Sequence, residues 1–88
     1  MKSQSIDHLR DRLKKKDEKI VRLLNERARI SLEIGDTKKK EGLDIYDPAQ
    51  ESRIYSRLNE INEGPLSDRA LEDIFIECTQ TQPLPSAV

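Results

Sequence analysis

Apolar residues recur every seven positions from Ile6 through Leu13 and Ile20 to Ile34, and that line is interrupted at Arg27. A neighbouring line runs Leu9, Lys16, Leu23, Ile30. Together they make a heptad-like seam, which predicts one long helix over residues 6–40. Lys16 can reach water along its own aliphatic stem, but Arg27 has apolar neighbours on both sides. A guanidinium among leucines and isoleucines is too costly to serve packing alone unless an anion meets it. The seam therefore reads as a surface built to hold something negative.

A third line, Arg10, Asp17, Leu24, Ser31, Lys38, borders the same seam. At about 100° per residue, Lys38 falls within roughly 20° of Arg27, some 16 Å further along the axis, so two long side chains leaning toward each other can grip one small dianion. Arg10 lies about 25 Å from Arg27 in the other direction on a rod that does not fold back. It can join them only from a second copy of the chain, laid antiparallel. Length gives the same answer. A helix over residues 6–40 is roughly 50 Å long, whereas a compact domain of this size is about 30 Å across, so one chain cannot cover it. The expected architecture is all-α, one long helix and two shorter ones, forming an intertwined homodimer. A plain coiled-coil dimer with no ligand remains the alternative, because charged interruptions in heptads also set register.

Turn chemistry divides the rest. Gly35 marks a kink or an early end of the first helix, and Gly42 is the better stop signal, which leaves Lys38 in the last turn or just beyond it. Residues 41–46 read as a loop. Asp47-Pro48-Ala49-Gln50 then supplies an N-cap, a proline at the first helical position and a capping-box partner at the third. The second helix carries Ile54, Leu58 and Ile61 at helical spacing with Tyr55 alongside, and Asn62-Glu63-Gly64-Pro65 ends it. Ser67 caps a third helix whose Ala70, Leu71, Ile74, Phe75 and Cys78 should face inward. Pro83 and Pro85 stop it, so residues 1–82 form the helical domain and residues 83–88 a tail.

Composition narrows the function. Hydrophobic residues make up 34% of the chain and charged ones 38%, which gives a single copy a thin core and strengthens the expectation of a dimer. Net charge is −1 with acids and bases interspersed, so there is no basic field for nucleic acid. The runs Lys14, Lys15, Lys16 and Lys39, Lys40 are solvated helix faces. No stretch is apolar enough to span a membrane and the first residues hold no hydrophobic signal core, which points to a cytoplasmic protein. Cys78 and His8 are each the sole residue of their type, so neither a disulfide within the chain nor a metal site has the spacing it needs. No metal and no cofactor is expected.

Glu51, in the first turn of the second helix, has a sufficient structural reason to exist in the helix dipole. It is equally an acceptor close to Lys38 if the second helix folds back along the first, where it would reach a hydroxyl on a ligand. Asp47 carries the same two readings, weighted toward the cap. Taken in order, Leu9-Arg10, Asp17-Glu18, Leu23-Leu24-Asn25-Glu26-Arg27, Glu33-Ile34-Gly35, Lys38, Ile45-Tyr46-Asp47-Pro48 with Glu51, and Gly64-Pro65-Leu66-Ser67 before Ile74-Phe75, the chain resembles the all-helical (type II) chorismate mutases. The resemblance covers about residues 6–80, and the ordered set Arg10, Arg27, Lys38, Asp47, Glu51 is its most specific part.

The resemblance implies an isomerase that rearranges chorismate to prephenate on the branch toward phenylalanine and tyrosine, with two sites per dimer. It implies that Arg10 of the other subunit and Arg27 bind the two carboxylates. Lys38 would bind a carboxylate and the ether oxygen, and Glu51 with the backbone near Asp47 the ring hydroxyl. Two departures stand out. The family commonly has an arginine where this chain has Gln50. Its third helix also presents a serine and, one turn later, a glutamine that donates to the ether oxygen, whereas counting on from Phe75 puts Gln82 at the serine position and Ser86 at the glutamine position, around Pro83 and Pro85. Gln82, or failing that Gln80, is the candidate replacement donor, and low activity is one expectation that follows. Two other readings stay open: an isochorismate pyruvate lyase of the same fold, and a non-catalytic helical dimer or regulatory module.

Overall fold

The computed structural model describes residues 5–44 and 47–80, with Gln80 described by its backbone alone. Three helices account for nearly all of them: α1 (Ile6–Glu41), α2 (Pro48–Ile61) and α3 (Asp68–Gln80), with no strand among the described residues. Each begins where the sequence supplies a cap. The Ser5 side chain accepts from the His8 backbone N–H at 3.1 Å, Asp47 Oδ1 from Gln50 N–H at 3.1 Å and Ser67 Oγ from Ala70 N–H at 3.1 Å. Each side-chain oxygen satisfies one of the donors that the first turn of a helix leaves without an intrahelical partner.

The first helix does not stop or break at Gly35; it runs 36 residues to Glu41. It ends at Gly42, whose φ of 70° is the left-handed conformation that a side chain would strain. There Gly42 N–H donates to Lys39 O at 3.2 Å and Leu43 N–H to Lys38 O at 2.8 Å, which closes the last turn. Lys38, Lys39 and Lys40 fall in that turn, at the negative end of the helix dipole. Glu41 is helical, so the loop expected over residues 41–46 starts one residue later, and its Ile45 and Tyr46 lie outside the described residues. The expected capping box at α2 is made in its forward half. The Gln50 side-chain oxygen accepts from Arg53 Nε at 3.0 Å, one turn along, where a guanidinium is the stronger donor.

Asn62 organises the turn between α2 and α3. Its side-chain amide donates to Leu66 O at 2.9 Å and to Asp68 Oδ1 at 2.8 Å, while its oxygen accepts from Gly64 N–H at 3.0 Å. The two short helices pack on each other as a hairpin, with Ile54, Tyr55 and Leu58 of α2 and Ala70, Leu71, Phe75 and Cys78 of α3 half-buried. One residue expected to face inward does not: Ile74 is 47% exposed because it sits at the margin of the α3 arc that meets α2. Ile61, on the α2 period, is 55% exposed because it ends α2 at the turn.

No described residue is fully buried. The molecule measures 60 × 35 × 15 Å with a radius of gyration of 17.1 Å, where a compact chain of this length would have one of about 12 Å. Its accessible surface is 8051 Å², against roughly 5,300 Å² for a compact monomer of the same mass.

Candidate functional site

Arg27 and Lys38 are both half-buried on a helix whose other long side chains are exposed. Their position on α1 explains it. Leu23, Ile30 and Ile34, 61%, 56% and 51% exposed, lie to one side of the line joining the two cations. Leu24, Ala28 and Gly35 lie to the other, and these are less exposed. The cations thus stand on the border between a bare apolar face and the face nearer the hairpin.

From that border each cation reaches the hairpin. Arg27 Nη1 donates to the Cys78 carbonyl at 3.4 Å, and its guanidinium carbon stands 5.6 Å from the centre of the Phe75 ring. Both contacts suit a guanidinium: the ring face is electron-rich, and a backbone carbonyl is a strong acceptor. Lys38 Nζ lies 3.9 Å from Asp47 Oδ2, with the lysine side chain 22% exposed. Asp47 divides its carboxylate, one oxygen capping α2 and the other facing Lys38. Glu51 follows one turn later, half-buried, with its N–H donating to Asp47 O at 3.2 Å.

Of the residues singled out in the sequence, Arg27 is therefore brought to Cys78 on α3 and Lys38 to Asp47 at the start of α2, with Glu51 one turn further along α2. Arg10 joins neither pair. It is exposed on the unbroken α1, about 25 Å along the axis from Arg27. Gln82 and the tail of residues 83–88 lie outside the described residues, and the Gln80 side chain is likewise not described. Beside Lys38 an open hollow of about 310 Å³ is lined by Ile30, Glu33, Ile34, Thr37 and Lys38, all on α1. One helix walls it, and a pocket able to enclose a small molecule needs more.

Phe75 and the Cys78 carbonyl are the contacts that sequence reasoning missed. Spacing places both residues in the core, and nothing local indicates that an arginine far earlier in the chain will lie over them. Among the described residues no group of three or more His, Cys, Asp or Glu could hold a metal ion, and no described helix is long and apolar enough to cross a membrane.

Comparison with known proteins identifies the family of the chain. The chain is 35% identical over 78 residues to the bifunctional chorismate mutase/prephenate dehydratase of Aquifex aeolicus (strain VF5), a match that covers 84% of this chain and 22% of that protein. It is 37% identical over 79 residues to the protein of the same description from Neisseria gonorrhoeae (strain ATCC 700825 / FA 1090), over 85% and 21% respectively. The chain thus spans only about a fifth of the length of these relatives. Among solved structures, chorismate mutase (form I) from Thermus thermophilus superposes with a TM-score of 0.85 at 32% identity, over 91% of this chain and all of that one. The form II structure from the same source gives 0.85 at 33% identity, over 90% of each. The family model described as chorismate mutase type II matches residues 9–81, a span that takes in most of α1 and the whole hairpin, and the chain belongs to that family.

Proposed function

We propose that this chain rearranges chorismate to prephenate, in a site completed by a second copy of itself. The observation that carries the reading is the placement of Arg27 and Lys38, held half-buried on the border between the hairpin and a bare apolar face. Two cations there suit a compact dicarboxylate, and family membership supplies its identity.

The reaction asks little else of the protein. It is intramolecular: one C–O bond breaks as one C–C bond forms, with no proton transfer and no covalent intermediate. A general base or a nucleophile has no task. The protein accelerates it by holding the substrate in its compact conformer and by stabilising the charge that gathers on the ether oxygen. Arg27 and Arg10 of the partner subunit bind the two carboxylates, each with a planar fork that matches two oxygens. Lys38, oriented by Asp47, meets one carboxylate and the ether oxygen. Glu51 and the backbone at Asp47 receive the ring hydroxyl. Gln82, from the end of the chain, is the remaining candidate donor to the ether oxygen, and the prolines beside it leave that role the weakest of the set.

Surface and geometry together support the homodimer. The excess of roughly 2,700 Å² over a compact monomer is of the size that obligate dimers bury. The exposed Leu23, Ile30 and Ile34 supply an apolar face for a partner helix, and the hollow beside Lys38 needs the wall that such a helix would bring. An antiparallel partner also delivers its Arg10 to the Arg27 end.

The test is consumption of chorismate by the purified chain with the product identified. Prephenate above the uncatalysed rate is expected, and Arg27→Ala should lower kcat/KM by about 10²–10³-fold, as the loss of a charge-stabilising donor does elsewhere. Salicylate with pyruvate would instead establish lyase chemistry. Chorismate loss equal to the protein-free control would leave a non-catalytic module.

A further inference from the structure

We infer that Tyr55 and Thr79 are positioning residues for Arg27, a reading that rests on the function proposed above. Tyr55 Oη and Thr79 Oγ1 lie 3.0 Å apart between α2 and α3, and both side chains are half-buried. Thr79 Oγ1 also lies 3.4 Å from Ile76 O, one turn back on α3. A hydroxyl has a single proton. With the Thr79 proton on the Ile76 carbonyl, Tyr55 is the donor of the pair, and the order Tyr55 to Thr79 to Ile76 runs from α2 into α3.

Arg27 is seated on the same stretch of α3. Cys78, whose carbonyl accepts from Arg27 Nη1, is the neighbour of Thr79, and Phe75, beneath the guanidinium, stands one turn earlier on α3. The Tyr55 hydroxyl ties this stretch of α3 to α2, from a residue one turn beyond Glu51. The clasp fixes the rotation and height of α3 relative to α2, and with them the two groups against which the guanidinium rests. An arginine already seated loses less rotamer freedom when a carboxylate arrives. Tyr55 and Thr79 thus act on the substrate through Arg27 and need not touch it.

The experiment measures steady-state kinetics on chorismate with the full chain. Thr79→Val removes one hydroxyl at nearly constant volume, Tyr55→Phe removes the other, and Thr79→Ser restores the first. Each of the first two should lower kcat/KM by about 3–10-fold, the range of one net hydrogen bond, while Thr79→Ser stays within about twofold of wild type. The double variant should lose no more than the worse single one, because both break the same bond. In an Arg27→Lys background, which has no planar fork to seat, Thr79→Val should cost less than about twofold. Equal losses in the wild-type and Arg27→Lys backgrounds, or full activity in both single variants, would overturn the inference. Circular dichroism checks that each variant folds; Tyr55→Phe, which keeps its ring, carries the test if Thr79→Val does not. A wild-type chain no faster than the uncatalysed reaction would remove the mutase reading and this inference with it, and that outcome is distinct from an active enzyme indifferent to Thr79.

Discussion

The long helix and the hairpin that follows it solve the same problem in opposite ways. The hairpin covers itself: α2 and α3 half-bury Ile54, Leu58, Leu71 and Phe75, Asn62 ties the turn between them, and Tyr55 meets Thr79 at the other end. The long helix α1 leaves Leu13, Ile20, Leu23, Ile30 and Ile34 more than half exposed. It touches the hairpin through Arg27 and Lys38, the residues proposed to hold the substrate. The difference teaches that one part of the chain is organised locally while the other leaves an apolar face bare, the face the proposed dimer would cover. The site lies on the seam between them, so its geometry depends on both.

The comparison breaks most sharply at Leu23. In a lone chain a substitution at a side chain 61% exposed should be nearly neutral, since exposed positions tolerate change within about 0.5 kcal/mol. In the proposed dimer, Leu23→Glu buries a carboxylate with no partner. Sedimentation should show dissociation to monomers, with a loss of stability of several kcal/mol per dimer. A dimer unchanged in mass and melting would mean that α1 is covered some other way.

A change in the hairpin should be felt in one chain alone. Asn62→Ala removes three hydrogen bonds at the α2–α3 turn, and about 1–3 kcal/mol should disappear from the unfolding free energy by denaturant titration. The oligomeric state should not change. If dimer mass fell along with stability, the hairpin would not be the self-sufficient half.

The smallest effect is expected on the seam at Asp47. Asp47→Asn keeps an oxygen to cap α2 but removes the charge facing Lys38, and partly exposed pairs contribute about 0–1 kcal/mol. KM for chorismate should rise no more than about fivefold, with kcat nearly constant and helix content unchanged. A large fall in kcat would show that Asp47 orients Lys38 for the bond-breaking step rather than for binding.

What could be read in the sequence and what could not follows the same division. The helix starts were legible because Ser67 and Asp47 act on residues three positions away, and Gly42 because its conformation is a property of one residue. Arg27 and Lys38 were legible as a pair because both lie on one helix, whose period fixes their relation. Position in the first turn of α2 raised Asp47 and Glu51 as candidates beside their capping and dipole roles, and family resemblance then assigned them to the site. The seat of Arg27 on Phe75 and the Cys78 carbonyl was not legible, since it depends on how α3 lies across α1, which no local pattern encodes. Ile74 is expected inside on period alone, and it is 47% exposed. Period gives a face, but how wide an arc of it gets covered is set by the neighbouring helix.

The central claim is that Arg10 and Arg27 of one site come from different chains. Chains carrying Arg10→Ala and chains carrying Arg27→Ala, each inactive alone, are unfolded together in equal amounts, refolded and assayed for prephenate formation. Random pairing makes half of the dimers mixed, and each mixed dimer has one site with both arginines, so the mixture should regain about a quarter of the wild-type rate. A mixture no more active than its parents would place Arg10 outside the site and contradict the shared-site account.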